Sequence, residues 1–187
     1  MCVCVCLGTD WNPNMNRKTG SIFITCIASS ALTFYLFAFQ VHEKSILFPL
    51  LFISCLLYEF PTLVMIFGYV ASFSMYPLLE RDGLIIPYML TQFLYLWGVP
   101  LLYKHAQISY NALAFYTTGL LGVIIHGIVL YLPQIMPSEL MERLPHLGPL
   151  LFAASSFVCF SLTWLYLNFY LCYHGLCSKL DQEKKNQ

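Results

Sequence analysis

Uncharged apolar runs recur along the chain, separated by short polar or charged clusters, and the longer runs reach the roughly 20 residues that cross about 30 Å of hydrocarbon as a helix. The pattern predicts an all-α, polytopic transmembrane protein of about six spans: Ser21 to Gln40, Ser45 to Tyr58, Phe60 to Leu79, Gly83 to Tyr103, Ala112 to Leu132 and Gly148 to Cys172. The second run is short. Its 14 residues make only about 21 Å of helix at 1.5 Å per residue, so Lys44 and Glu59 must snorkel or the bilayer must thin.

The breaks between runs carry the polar residues. His42-Glu43-Lys44 separates the first two spans, Glu59-Phe60-Pro61 the next two, and Glu80-Arg81-Asp82 the third from the fourth. Pro61 restricts Glu59-Phe60 and marks a turn. The longest connection, 132 to 147, reads PQIMPSELMERLPH. Ser138 is placed to cap a short helix, with Glu139 and Glu142 early in it and Pro145 closing it, so an amphipathic helix on the membrane surface is expected there. The chain divides into a divergent N-terminal segment, 1–20, a transmembrane helical domain, 21–177, and a solvated tail, 178–187.

Composition agrees with the pattern. Of 187 residues, 59% are hydrophobic and only 10% are charged, against roughly 25% charge in a soluble domain. Nine basic and nine acidic residues balance, and no basic patch is interleaved with aromatics, so no nucleic-acid partner is expected. The distribution of charge is more informative than its sum. With six spans, Arg17, Lys18, Lys104, Lys179, Lys184 and Lys185 share one side, while Lys44, Arg81 and Arg143 share the other. By the positive-inside rule the first side is cytosolic and holds both termini. If the second run does not cross, the sides even out and the rule is silent.

The eight cysteines imply no disulfide framework, because Cys26, Cys55 and Cys159 lie within apolar runs, where a thiol acts as a small hydrophobe. Cys2, Cys4 and Cys6 alternate with Val and Leu, a spacing that matches no zinc pattern, and no metal is expected. Asp10, Asn12 and Pro13 interrupt the N-terminus before any apolar region develops, which argues against a secretory signal. The chain ends KKNQ. Lys184 and Lys185, fourth and third from the end, form a dilysine signal that cytosolic coat proteins read to return membrane proteins to the endoplasmic reticulum; the plainer reading is a solvated, positively charged terminus.

Ionisable residues at a membrane edge reach water cheaply, so His42, Glu43 and Lys44 read first as interface anchors. They also suit a second role. A histidine and a lysine at the far, lumenal edge make a cationic seat for a lipid-borne phosphate, because imidazolium and ammonium donors form charge-assisted hydrogen bonds with phosphate oxygens. His126, inside the fifth run, is an intramembrane ionisable group and so a candidate by position, although a neutral imidazole hydrogen-bonded to a neighbouring helix beside Gly127 explains it as well. Trp97, Tyr103 and Tyr131 fit an aromatic belt. No hydrolase arrangement and no Gly-rich phosphate loop is present.

The stretch FAFQVHEKSIL, followed about thirty residues later by ASFSMYPLLERDGLIIP, resembles the C-terminal half of the dolichyl-phosphate-glucose-dependent glucosyltransferases of the endoplasmic reticulum. Within them it is most similar to the α-1,3 branch that adds the first glucose to lipid-linked Man9GlcNAc2. The similarity begins near Ser21 and weakens after Lys104; residues 1–20 do not share it. The resemblance implies a GT-C architecture with a lumenal active site. It implies transfer of glucose from dolichyl phosphate glucose to a dolichol-linked oligosaccharide, with inversion and without a nucleotide sugar or other cofactor. His42 falls on the family histidine that contacts the donor phosphate, with Glu43 and Lys44 as supporting neighbours. The family's catalytic aspartate lies in an N-terminal half with no counterpart here. Asp10, Glu43 and Asp82 do not match its setting, so no catalytic residue is assigned and the chain is expected not to transfer glucose alone. The alternative is a non-catalytic membrane protein that binds dolichol-linked lipid or stabilises a full-length partner. A transporter is the third choice, weakened by an interior that offers only His126 as a polar pathway residue.

Overall fold

The computed structural model describes residues 13–38, 42–135 and 147–185, with side chains over 20–38, 42, 44–131 and 147–174. It is helical throughout, and no strand occurs among the described residues. The elements are α1 (Pro13–Phe37), a 3-10 turn (Glu43–Ile46) leading into α2 (Leu47–Ser54), α3 (Pro61–Ser74), α4 (Tyr76–Arg81), α5 (Ile85–His105), α6 (Ala112–Ile135) and α7 (Leu147–Lys185). Five helical stretches are long and apolar enough to span a membrane: Gly20–Phe37, Pro61–Arg81, Ile85–His105, Ala112–Tyr131 and Leu147–His174. The loop helix expected around Ser138 lies outside the described residues.

The local departures from the predicted spans have simple causes. α1 is described from Pro13 onward, ahead of the predicted start at Ser21. Gly83 adopts φ +73, a left-handed turn that suits glycine, and α5 therefore starts at Ile85 rather than Gly83. The third span breaks at Met75, after which Pro77 sits in the first turn of α4. α7 runs unbroken to Lys185, so it continues as helix through most of the segment read as a solvated tail, 178–187.

The second run forms only an eight-residue α-helix, yet it still carries the chain across. Beyond Ser54 the backbone continues in tight turns, with N–H groups of Cys55, Leu56, Leu57 and Glu59 bonding to carbonyls three residues back. Residues 43–59 thus extend over about 25 Å, close to a hydrocarbon thickness.

Pairings between helices establish the traverse. α3 and α7 are antiparallel: Phe60 packs on Tyr166 and Tyr170, Phe67 on Phe160, and Phe73 on Phe152. α1 is also antiparallel to α7, since Trp164 Nε1 donates to Thr33 Oγ1 at 2.7 Å, Tyr35 packs on Phe160, and Ala38 shares a groove with Leu150. The end of α1 and the start of α3 therefore lie at opposite ends of the bundle, here the Ala38 end and the Phe60 end. Residues 43–60 connect them, which gives six passes with α1 starting and α7 finishing at one end.

α3 is the central post, with half of its span buried against about a sixth for α5 and α6. Tyrosines join it to α5 and α6 across glycines. Tyr95 of α5 donates its hydroxyl to the Met65 carbonyl at 3.2 Å and crosses Gly68. Tyr69 of α3 donates to the Gly119 carbonyl of α6 at 3.3 Å and crosses Gly122. Small residues permit such close approach, and the hydrogen bonds add to the packing where apolar burial against lipid supplies little drive. The outward faces of α5 and α6 present Ile86, Phe93, Leu120 and Val123, side chains that match hydrocarbon.

Candidate functional site

The cationic ledge sits at the Ala38 end, where the chain turns from α1 into the second traverse. His42 is extended, at φ −67 and ψ 136, and its carbonyl accepts the Ser45 N–H at 2.8 Å, which starts the 3-10 turn. His42 and Lys44 are both exposed. They stand within one short turn that packs against α1, which keeps the two side chains close together. Glu43 belongs to the same turn, and its side chain is outside the described set.

At the same end of the bundle lies an apolar groove of about 660 Å³ between α1, α3, α4 and α7. Its lining includes Tyr35, Leu36, Ala38, Pro77, Leu150 and Phe157. Sequence reading missed this groove because its walls come from four separate helices. A second groove, of about 570 Å³, opens at the Phe60 end beside Glu59.

His126 occupies a different setting. It stands toward the Ala38 end, level with Tyr88 near the start of α5 and Phe152 near the start of α7. Its Nδ1 lies 2.8 Å from the Gly122 carbonyl, which can only accept, so Nδ1 carries the hydrogen. In the neutral ring Nε2 then accepts from the Tyr88 hydroxyl at 3.1 Å. Phe73, Tyr76, Tyr88 and Phe152 surround the imidazole with ring centroids 4.9 to 5.7 Å away. Both ring nitrogens are engaged within the bundle, as the hydrogen-bonded alternative requires. Among the described residues no three His, Cys, Asp or Glu side chains gather as a metal site; Cys2, Cys4 and Cys6 lie outside them.

A multi-pass helical membrane protein with an exposed basic turn and an apolar groove at one end of its bundle has the elements of a site for an anionic lipid. The ALG6, ALG8 glycosyltransferase family model matches residues 1–166, and the chain belongs to that family. The match takes in residues 1–20, which sequence reading had set apart, and stops short of the last 21 residues. A Schizosaccharomyces pombe protein named as a probable dolichyl pyrophosphate Man9GlcNAc2 alpha-1,3-glucosyltransferase is 33% identical over 166 residues, covering 86% of this chain and 31% of the relative. A Dictyostelium discoideum protein of the same name is 46% identical over 79 residues, 42% of this chain and 15% of that one. The Gallus gallus dolichyl pyrophosphate Man9GlcNAc2 alpha-1,3-glucosyltransferase is 45% identical over 74 residues, 40% of this chain and 15% of that one. The chain thus spans a third or less of the length of these relatives.

Proposed function

We propose that this chain forms the C-terminal membrane part of an endoplasmic-reticulum α-1,3-glucosyltransferase, a hexosyltransferase that moves glucose from dolichyl phosphate glucose to the dolichol-linked Man9GlcNAc2 oligosaccharide. The observation that carries the reading is the family match over residues 1–166, and the relatives' names supply the acceptor. The Ala38 end faces the lumen. There His42 and Lys44 hold the donor phosphate, Glu43 supports them, and the prenyl chain runs into the groove lined by Leu36, Leu150 and Phe157. As the glucosyl bond breaks, charge builds on the phosphate, and fixed cationic donors stabilise that charge more than the ground state. The base that deprotonates the acceptor hydroxyl comes from the portion of the longer relatives that this chain does not span. Both termini are cytosolic, and coat proteins read Lys184 and Lys185.

The test is a chimera in which this chain replaces the aligned segment of the S. pombe relative, expressed in cells lacking that enzyme. Glucosylated lipid-linked oligosaccharide is expected, and the 187-residue chain alone should yield none. A chimera that reaches the membrane intact and transfers nothing would favour the non-catalytic alternative, a protein that binds dolichol-linked lipid or steadies a full-length partner. A glycosylation acceptor on a flexible insert in the 38–42 turn should be modified if the Ala38 end is lumenal. Changing Lys184 and Lys185 to Ser should shift the protein to later secretory compartments; unaltered residence would remove the retrieval role.

A further inference from the structure

Glucose transfer makes no use of the groove at the Phe60 end, about 570 Å³ between α3, α6 and α7. That volume falls within the roughly 300–1,000 Å³ of ligand sites. The lining changes character with depth. Glu59, Phe60 and Tyr166 stand at the mouth, while Ile66 on α3 and Cys159 on α7 lie further in; from Tyr166 to Cys159 the helix rises about 10 Å. Among the described residues, Glu59 is the only charged one that lines the groove, and its side chain is exposed. Apolar walls by themselves select nothing among lipids, whose tails are all equally apolar. A carboxylate at the mouth does select, because it repels an anionic headgroup and accepts charge-assisted hydrogen bonds from an ammonium. Phe60, the ring beside it, already packs near-perpendicular to Tyr166 and Tyr170 at 5.5 and 4.8 Å. A primary ammonium, which bonds through N–H, therefore suits the mouth better than a quaternary one that relies on open ring faces. Thr62 Oγ1 accepts the Asn111 N–H at 2.8 Å, and a hydroxyl also carries a hydrogen to donate, here to the phosphate that adjoins such an ammonium.

We propose that this groove binds a phospholipid with a primary-amine headgroup, phosphatidylethanolamine, in the leaflet opposite the His42 ledge. The ammonium donates to Glu59, Thr62 donates to the phosphate, and one acyl chain lies along Leu63, Ile66 and Leu162. The site is separate from the donor contact and does not depend on glucose transfer.

Native mass spectrometry of the full 187-residue chain in detergent micelles tests the site, with dioleoyl phosphatidylethanolamine, phosphatidylcholine and phosphatidylglycerol added at equal concentration. The three share their tails, so differences in retention report the headgroup. The parent should retain phosphatidylethanolamine several-fold more than phosphatidylcholine; equal retention of the two would overturn the proposal. The ratio of phosphatidylethanolamine to phosphatidylglycerol should fall several-fold in Glu59→Gln and further in Glu59→Lys. Phosphatidylglycerol held at the His42 ledge is untouched by either change, so the shift between parent and variant reads the groove alone. A ratio that stays the same in Glu59→Gln would place the selection elsewhere and overturn the proposal. A parent that travels as a dimer without lipid would also overturn it and give the groove to a second copy. Both substitutions alter an exposed side chain; should Glu59→Lys fail to fold, Glu59→Gln decides by itself.

Discussion

Two histidines at the same end of the bundle, His42 and His126, show how setting decides what one side chain can do. His42 stands on a short turn with its ring in the open, while His126 is enclosed by four aromatic rings and bonded at both nitrogens. An exposed imidazole is open to a phosphate. One that already serves Gly122 and Tyr88 has nothing left to offer a ligand, and its worth lies in joining helices. The sequence already placed the expected donor contact at His42 and allowed His126 a purely structural role, and the partners of His126 fit that role.

The comparison breaks first at His42. In the chimera, His42→Ala should reduce glucose transfer by about 100-fold, the usual cost of losing one preorganised donor to a developing oxyanion. Stability should move by no more than about 0.5 kcal/mol, as for other exposed substitutions. His42→Lys should recover part of the rate. Transfer that survives His42→Ala within twofold would return the ledge to the role of an interface anchor.

The enclosed histidine depends on the close helix approach beneath it, and that is the next place to press. A Cβ at Gly122 would run into the Tyr69 hydroxyl, and one at Gly68 into the Tyr95 hydroxyl. Gly122→Ala and Gly68→Ala should each cost about 1–3 kcal/mol in reversible unfolding from mixed micelles, typical of overpacking a tight contact. Gly20→Ala and Gly98→Ala, where nothing lies within 4 Å, should cost nothing from crowding. If all four behave alike, the close approach at α3 is not what holds the bundle.

How legible each feature was follows from how local its cause is. Apolar runs marked five long spans because crossing hydrocarbon is a property of one segment at a time. The short second traverse was legible too, since the tally of lysines and arginines called for a crossing that length alone left doubtful; tight turns after Ser54 make up the difference. The partners of His126 were not legible. Tyr88 lies 38 residues away on a helix of tyrosines that each fit an aromatic belt, and nothing local separates it from Tyr95 or Tyr103. The groove at the Ala38 end was hidden for the same reason.

Replacing His126 by Leu keeps most of the volume and leaves the Tyr88 hydroxyl without its acceptor. A loss of about 1–3 kcal/mol is expected for a buried donor left unpaired, with glucose transfer by the chimera unchanged. Loss of transfer at unchanged stability would instead place His126 in the chemistry and erase the contrast with His42.

The smallest effect, and the finest test of the contrast, is Tyr88→Phe. The ring stays, still stacked on His126 at 5.7 Å and 26°, and only the hydroxyl goes. Interhelical hydrogen bonds in membranes contribute about 0.6 kcal/mol on average and rarely more than about 1.7, so the single variant should lose an amount in that range. The decisive quantity is the cycle with His126→Leu. Both changes delete the same bond, so the double variant should be less destabilised than the two single losses combined, by about 0.5 kcal/mol or more for groups in contact. Additive losses would mean that Tyr88 and His126 act separately, and that His126 is held by its own helix and its aromatic neighbours rather than by a bond to α5.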